Sequence, residues 1–323
     1  MISRRLLRIK TLQVLFAFFR AENDSLANAE TELFHSIQKA YDLYHYIFLL
    51  LIDIKLYAEN RMELAKQKQM PNYDDLNPNT RFIENKVFKL IEENASLKSY
   101  LKERKLSWVN YPELIKKLYQ KVTASNYFSR YMEASECDYS TDRQLIITLL
   151  SKELLDFEDF EQCLEEQSIY WNDDLEFMVG MVTKTLKKFN ENQLPSTPLF
   201  PLFRNDDDED FAKRLLRKSI LKHNDNVKVI DKYTQNWDVD RIASMDILIM
   251  EMALTEILEF PSVPVKVSFN EYIEISKFYS TEQSSMFING VLDKIINTFR
   301  SENIIQKQGR GLVGEEEALT DEQ

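Results

Sequence analysis

This sequence predicts an all-α fold, and three observations carry the prediction. Glycine is scarce, 5 in 323 residues, and residues 1–300 hold Gly180 and Gly290 alone. Sheets, barrels and phosphate loops need glycine for hairpin turns, bulges and close backbone approach. Those classes are therefore disfavoured, and glycine-rich nucleotide motifs are absent. Apolar residues recur every three or four positions along nearly the whole chain, the period of an amphipathic helix. The eight prolines fall between the periodic stretches, where helices end.

Taken in order, the first helix runs from about Ser3 to Arg20, and a long one without Pro or Gly covers Asn28–Gln67. Pro71 to Asn79 reads as a loop. One charged amphipathic helix is expected over Phe82–Glu103 and another over Glu113–Thr123, opened by Pro112. Leu145, Ile146, Leu149, Leu150 and Leu154 share a helix face. Asn172–Phe189 follows, with Gly180 inside it either allowing close helix approach or costing stability. Pro195–Pro201 is a linker. Asp206–Asp210 charges the start of the next helix, which runs to about Tyr233, and acids there suit the positive end of the helix dipole. Three more helices are expected. One starts at Asp238 as N-cap, one at Ser268 boxed by Glu271, and one at Ser280 boxed by Gln283. The last fades near Ile305.

Hydrophobic residues make up 44% of the chain, enough to bury a large core. Cys137 and Cys163 have no metal spacing, and three histidines, His35, His45 and His223, supply little for a metal or Cys–His couple. No Ser–His–Asp arrangement has a recognisable spacing. We therefore expect no catalysis, no metal and no cofactor. The apolar run at Tyr46–Ile52 is too short to cross a bilayer, and Arg8 and Lys10 interrupt the basic-then-apolar start that would otherwise resemble a signal peptide, so a cytoplasmic protein is expected. The net charge of −12 opposes indiscriminate nucleic-acid binding, but it is unevenly spread. Residues 1–20 carry Arg4, Arg5, Arg8, Lys10 and Arg20 and no acid, whereas residues 301–323 carry six acids and two bases.

Arg4, Arg8 and Thr11 fall at i, i+4 and i+7, so they line one helix stripe with Arg5 beside it, while Lys10 points elsewhere on the same basic helix. Such a stripe suits phosphate contact and stacking on unpaired bases, or else it is an ordinary solvated face. Tyr279, Gln283 and Phe287 stand at i, i+4 and i+8; Phe287 reads equally well as core. Two other basic stretches stand out. Lys102, Arg104, Lys105, Lys116, Lys117 and Lys121 interleave with Trp108, Tyr111 and Tyr119, and we read them as solvated helices over an aromatic core rather than a single-strand site. Lys213, Arg214, Arg217, Lys218 and Lys222 either extend an RNA surface or balance Asp206–Asp210.

The C-terminal third then carries a specific pattern: Asn236-Trp237-Asp238 through Ile242, Met245-Asp246-Ile247-Leu248, Val263-Pro264, Asn270-Glu271, and Phe287-Ile288-Asn289-Gly290-Val291-Leu292-Asp293-Lys294. With Arg4-Arg5-Leu6-Leu7-Arg8 through Gln13 and Phe16, it resembles the NusB family of bacterial transcription antitermination factors, in a long form with a large insertion after the first helix. The resemblance implies a NusB-like helical bundle from residues 1–22 and 207–300. It leaves 23–206 as an inserted helical subdomain and 301–323 as a disordered acidic tail. It implies boxA-like RNA as ligand, contacted by Arg4, Arg5, Arg8, Lys10, Tyr279, Gln283 and Phe287. Ribosomal protein NusE would dock at Phe16, Asp246 and Glu251, with RNA polymerase and other Nus factors joining indirectly. Asn289-Gly290 and Trp237 read as structural, the first as a close helix contact and the second as a core anchor. Monomer and homodimer stay open, as does a helical protein–protein adaptor that has lost RNA binding.

Overall fold

The computed structural model describes residues 3–21, 25–136, 138–234 and 243–313. Among these there are helices and turns and no strand, so the chain is all-α. The Asn236–Ile242 motif, with Trp237 and Asp238, lies outside the described residues, as does Cys137.

The chain divides into two compact units, one of Ile2–Ile37 with Phe203 onward and the other of Gln38–Leu202. The first is a bundle of α1 (Arg4–Arg20), α11 (Asp206–Thr234), α12 (Ser244–Glu259), α13 (Val265–Tyr279) and α14 (Glu282–Ser301). The opening turns of α2 (Leu26–Lys66) belong to it as well, although the sequence places them in the insertion. Helix α12 is the axis of this unit: α1, α11, α13 and α14 all pack on it. Leu248 to Ile257 is buried on every side, which is what an almost uniformly apolar helix requires. Leu7, Leu12 and Leu15 of α1, Leu215 and Leu216 of α11, and Ile288, Leu292 and Ile295 of α14 complete the core.

Capping differs from the expectation. Helix α13 starts three residues before Ser268, with Pro264 at its N-cap. Helix α14 is capped by Thr281, whose hydroxyl accepts from the Ser284 N–H at 3.1 Å. Gln283 therefore takes no part in the cap. Neither Gly180 nor Gly290 has an atom within 4 Å of where a Cβ would stand, and Asn289 is exposed, so this pair fixes no close helix contact. The tail is ordered further than its composition predicts. Lys307 Nζ donates to the carbonyls of Ile257 and Phe260 at 2.7 and 3.1 Å, the Gln308 N–H donates to Pro261 O at 2.9 Å, and a Cβ on buried Gly311 would collide with the Pro261 carbonyl.

The second unit is built around the remainder of α2, whose Tyr44, Ile47, Phe48, Leu51 and Ile54 are fully buried. The unit also holds the short α3 (Tyr73–Leu76), α4 (Lys86–Glu93), α5 (Ala95–Arg104), α6 (Pro112–Thr123), α7 (Asn126–Glu133), α8 (Tyr139–Thr148), α9 (Glu158–Gln167) and α10 (Leu175–Lys188). The single helix expected over Phe82–Glu103 is broken at Asn94, which ends α4 and caps α5 by accepting from the Leu97 N–H at 2.9 Å. A π-helical turn, Leu149–Leu154, continues α8. Part of the basic-aromatic stretch is used within the unit, while Lys102 and Lys105 are exposed. Trp108 stacks on Tyr46 at 3.7 Å, and Arg104 grips buried Asp42 with two hydrogen bonds of 2.8 Å. Lys117 pairs with Asp159, and Lys121 donates to backbone carbonyls of Glu153 and Asp156.

Candidate nucleic-acid interface

Helix α1 begins at an N-cap serine, Ser3, and presents its arginines to three different helices. Arg4 Nε donates to Asp208 on α11 at 2.9 Å, with the guanidinium 4.9 Å from the centre of the Phe211 ring. Arg5 donates through Nε and Nη2 to Glu271 on α13, both at 2.9 Å. Both arginine side chains stay about half exposed, at 40% and 45%.

Arg8 is different, and its expected RNA contact is corrected here. Its side chain is 3% exposed and chelates Glu256 on α12 through Nε and Nη2 at 2.8 and 2.6 Å. The same carboxylate accepts from Ser268 Oγ at 2.7 Å and Tyr272 OH at 2.9 Å, so its two oxygens are fully used. Burial opposes the Arg8 charge, but the Glu256 hydrogen bonds and its negative charge outweigh that and hold the guanidinium firmly protonated. Arg8 is thus a tie between α1, α12 and α13. Lys10, 1% exposed, is buried too and offers no surface to RNA. The signal lay in the spacing: Leu12 and Leu15 follow Arg8 at i+4 and i+7, on its stripe and in the core.

The proposed partner face is corrected for the same reason. Asp246 and Glu251 lie on the buried axial helix, 3% and 1% exposed, and form no solvated acidic face. Asp246 accepts from Ser280 Oγ, fixing the turn between α13 and α14. Glu251 Oε2 stands 2.9 Å from His223 Nδ1, while its Oε1 is buried without a hydrogen-bond partner. Burial pushes the Glu251 carboxyl up to about 7, and His223 pulls it partly back. The His223 ring stacks on Phe19 of α1, centroids 4.1 Å apart. Phe16, the remaining partner candidate, is half-buried under the Arg20 guanidinium at 4.1 Å.

Tyr279 is brought to α1, where its hydroxyl accepts from Gln13 Nε2 at 3.1 Å. Gln283 is exposed and Phe287 half-buried, and both line a groove of about 570 Å³ with Tyr233, Met286, Gly290 and Lys294. Among the described residues no cluster of three or more His, Cys, Asp or Glu could hold a metal, and no helix is long and apolar enough to cross a membrane.

Comparison with known proteins bears on the C-terminal helices of this set. The NusB family model matches residues 180–297, and the transcription antitermination protein NusB of Salinibacter ruber is 40% identical over 124 residues, 38% of this chain and 78% of the relative. The chain belongs to the NusB family. The NusB proteins of Chloroherpeton thalassium and Natranaerobius thermophilus are 42% and 43% identical over 105 and 68 residues, spanning 50% and 49% of those relatives and 32% and 21% of this chain. No solved structure matches. The NusB family match begins inside α10, earlier than the boundary expected from the sequence, and runs through α11, α12 and α13 into α14 as far as residue 297, so it holds Tyr279, Gln283 and Phe287 while α1 with Arg4 and Arg5 lies outside it.

Proposed function

We propose that this chain is an RNA-binding transcription antitermination factor that acts by assembly and without catalysis. Antitermination is the activity in the names of its relatives. In this reading a boxA-like single strand lies over the exposed end of α1, ribosomal protein NusE docks nearby, and RNA polymerase and other Nus factors join to support ribosomal RNA transcription. The observation that carries the RNA contact is that Arg4 and Arg5 stay about half exposed while paired with Asp208 and Glu271. Guanidiniums so placed can exchange a carboxylate for a phosphate. Tyr279, Gln283 and Phe287 offer aromatic and amide groups for unpaired bases. NusE docking rests on the family and on Phe16. Each weak contact raises the effective concentration of the other.

The test is fluorescence anisotropy with a boxA RNA and a scrambled control, with and without NusE, at two salt concentrations. The variant is Arg4→Gln/Arg5→Gln, with Arg8 left intact so that the fold is not at stake. Selective binding, strengthened by NusE and reduced about tenfold or more in the variant, is expected. Equal or absent binding of both RNAs with NusE present overturns the reading and leaves the helical adaptor.

A further inference from the structure

The sequence leaves the basic run on α11 with two readings, an RNA surface or a counterweight to Asp206–Asp210. The ion pairs decide against the counterweight. Lys213 and Arg217 share Glu30 on α2, and Arg214 and Lys218 share Glu259 at the end of α12. Lys222 stands 3.9 Å from exposed Asp225. Each shared carboxylate neutralises one of its two cations, so each trio keeps one positive charge. All five side chains remain 37–51% exposed. From Lys213 to Lys222 every charged residue is a cation; the others are buried Leu215, Leu216 and Ser219 and the apolar pair Ile220 and Leu221.

We propose that this ridge of α11 holds the phosphate backbone of RNA beyond the segment read at α1. The proposal rests on the RNA-binding reading above. A row of cations of one sign, about 13 Å long at the helical rise, matches a ligand whose charge repeats at every nucleotide. Glu30 and Glu259 also hold the heads of long side chains in place, which lowers the ordering cost of contact. The acids at the start of α11 offset only the near end of the ridge. Asp208 is buried and spent on Arg4. Exposed Glu209 and Asp210 stand one turn before Lys213 and Arg214 and offset that end, whereas Arg217, Lys218 and Lys222 lie about 10 Å or more along the axis from either, beyond the roughly 8 Å Debye length at physiological salt. Contacts made this way position a strand without reading its sequence.

The test uses the full chain with two RNAs, a minimal boxA element and the same element extended at both ends with uridines, each beside its scrambled control. The ridge variant is Arg214→Gln/Arg217→Gln/Lys218→Gln/Lys222→Gln. Its companion exchanges Lys and Arg at the same four positions, and circular dichroism checks that both are folded. The ridge variant is expected to lose on the order of tenfold in affinity for the extended RNAs, boxA and scrambled alike. Its plot of log affinity against log salt should become shallower by about 1 to 2, and the charge-keeping companion should bind as wild type. Unchanged binding in the folded ridge variant, with Arg4→Gln/Arg5→Gln still losing boxA selectivity, overturns the ridge and leaves the RNA reading standing. Should the ridge variant instead lose polyglutamate binding and keep RNA, the ridge belongs to an acidic protein surface and the proposal fails. No RNA binding by wild type, with NusE present as well as without it, overturns both.

Discussion

Arg5 and Arg8 stand about one turn apart on α1, and each grips a glutamate with two hydrogen bonds, yet one side chain is 45% exposed and the other 3%. The residue type and the bond geometry are the same; the surroundings are not. Glu271 faces water, so the Arg5 pair is screened and exchangeable. Glu256 sits on the buried axial helix among Arg8, Ser268 and Tyr272, so its charge depends on those partners. One helix therefore carries both a structural cation and candidate ligand-binding cations. Sequence spacing places Arg5 beside the stripe that carries Arg8, and burial separates the two.

The sharpest way to break that comparison is to remove the buried member. Arg8→Met leaves a buried carboxylate without its counter-ion, and we expect a loss of about 3–5 kcal/mol in denaturant unfolding. Arg8→Met/Glu256→Leu should recover a large part of that loss, because an apolar pair replaces an ion pair there without leaving a lone charge. Equal losses in the single and double variants would mean that Arg8 acts through packing alone.

Glu251 sharpens the comparison from the acid side. Its carboxyl is pushed from 4.5 up to about 7 by burial, so the folded protein keeps a proton that the unfolded chain releases. That contribution is complete below the unfolded value and is lost as pH rises through about 7. Glu251→Gln, which never ionises, should flatten the stability profile between about pH 5 and about pH 8 and stabilise the protein at the upper end by on the order of 2–3 kcal/mol. A profile as steep as wild type would place the titration elsewhere.

Arg104 in the second unit falls between the two extremes. It is 33% exposed, but its partner Asp42 is buried, with Tyr100 OH as a second donor at 2.7 Å. Arg104→Gln should cost about 2 kcal/mol, less than Arg8→Met, because Tyr100 still donates to the carboxylate and Lys39 stands 4.0 Å from it. A loss as large as that of Arg8→Met would show that the partner's burial alone sets the cost.

Helix existence was legible because burying a face forces a three-to-four-residue period, and α1, α2 and α11 fall within about two residues of where that period puts them. Termini were less so. Whether Ser268 caps a helix or reaches back to Glu256 depends on where the axial helix lies, and no local spacing encodes that. Of the site candidates, Arg4 and Arg5 keep the exposure an RNA contact needs, whereas Arg8, Lys10, Asp246 and Glu251 are buried. For the two acids a cue existed. Met245 to Ile257 is apolar apart from Asp246, Glu251, Thr255 and Glu256, the composition of a helix buried all round, where acids have no solvated face to occupy. The α4–α5 break falls at Asn94, a residue type that favours N-caps over helix interiors, and its anchor, the Thr197 carbonyl, is remote in sequence.

The smallest expected effect tests the exposed side of the comparison. Arg4→Gln and Arg5→Gln each remove a half-exposed ion pair, and such pairs contribute about 0–1 kcal/mol. Asp208 is 8% exposed, so Arg4→Gln should sit at the upper end of that range, and Arg5→Gln, beside the 23% exposed Glu271, at the lower. Denaturant midpoints of the two single variants against wild type measure this directly. A cost above about 2 kcal/mol for Arg5→Gln would place it with Arg8 as a structural cation. Then any loss of RNA binding on its removal would report damage to the bundle rather than a lost contact. A cost below 1 kcal/mol leaves the bundle intact, and a loss of RNA affinity in the same variant then belongs to the surface.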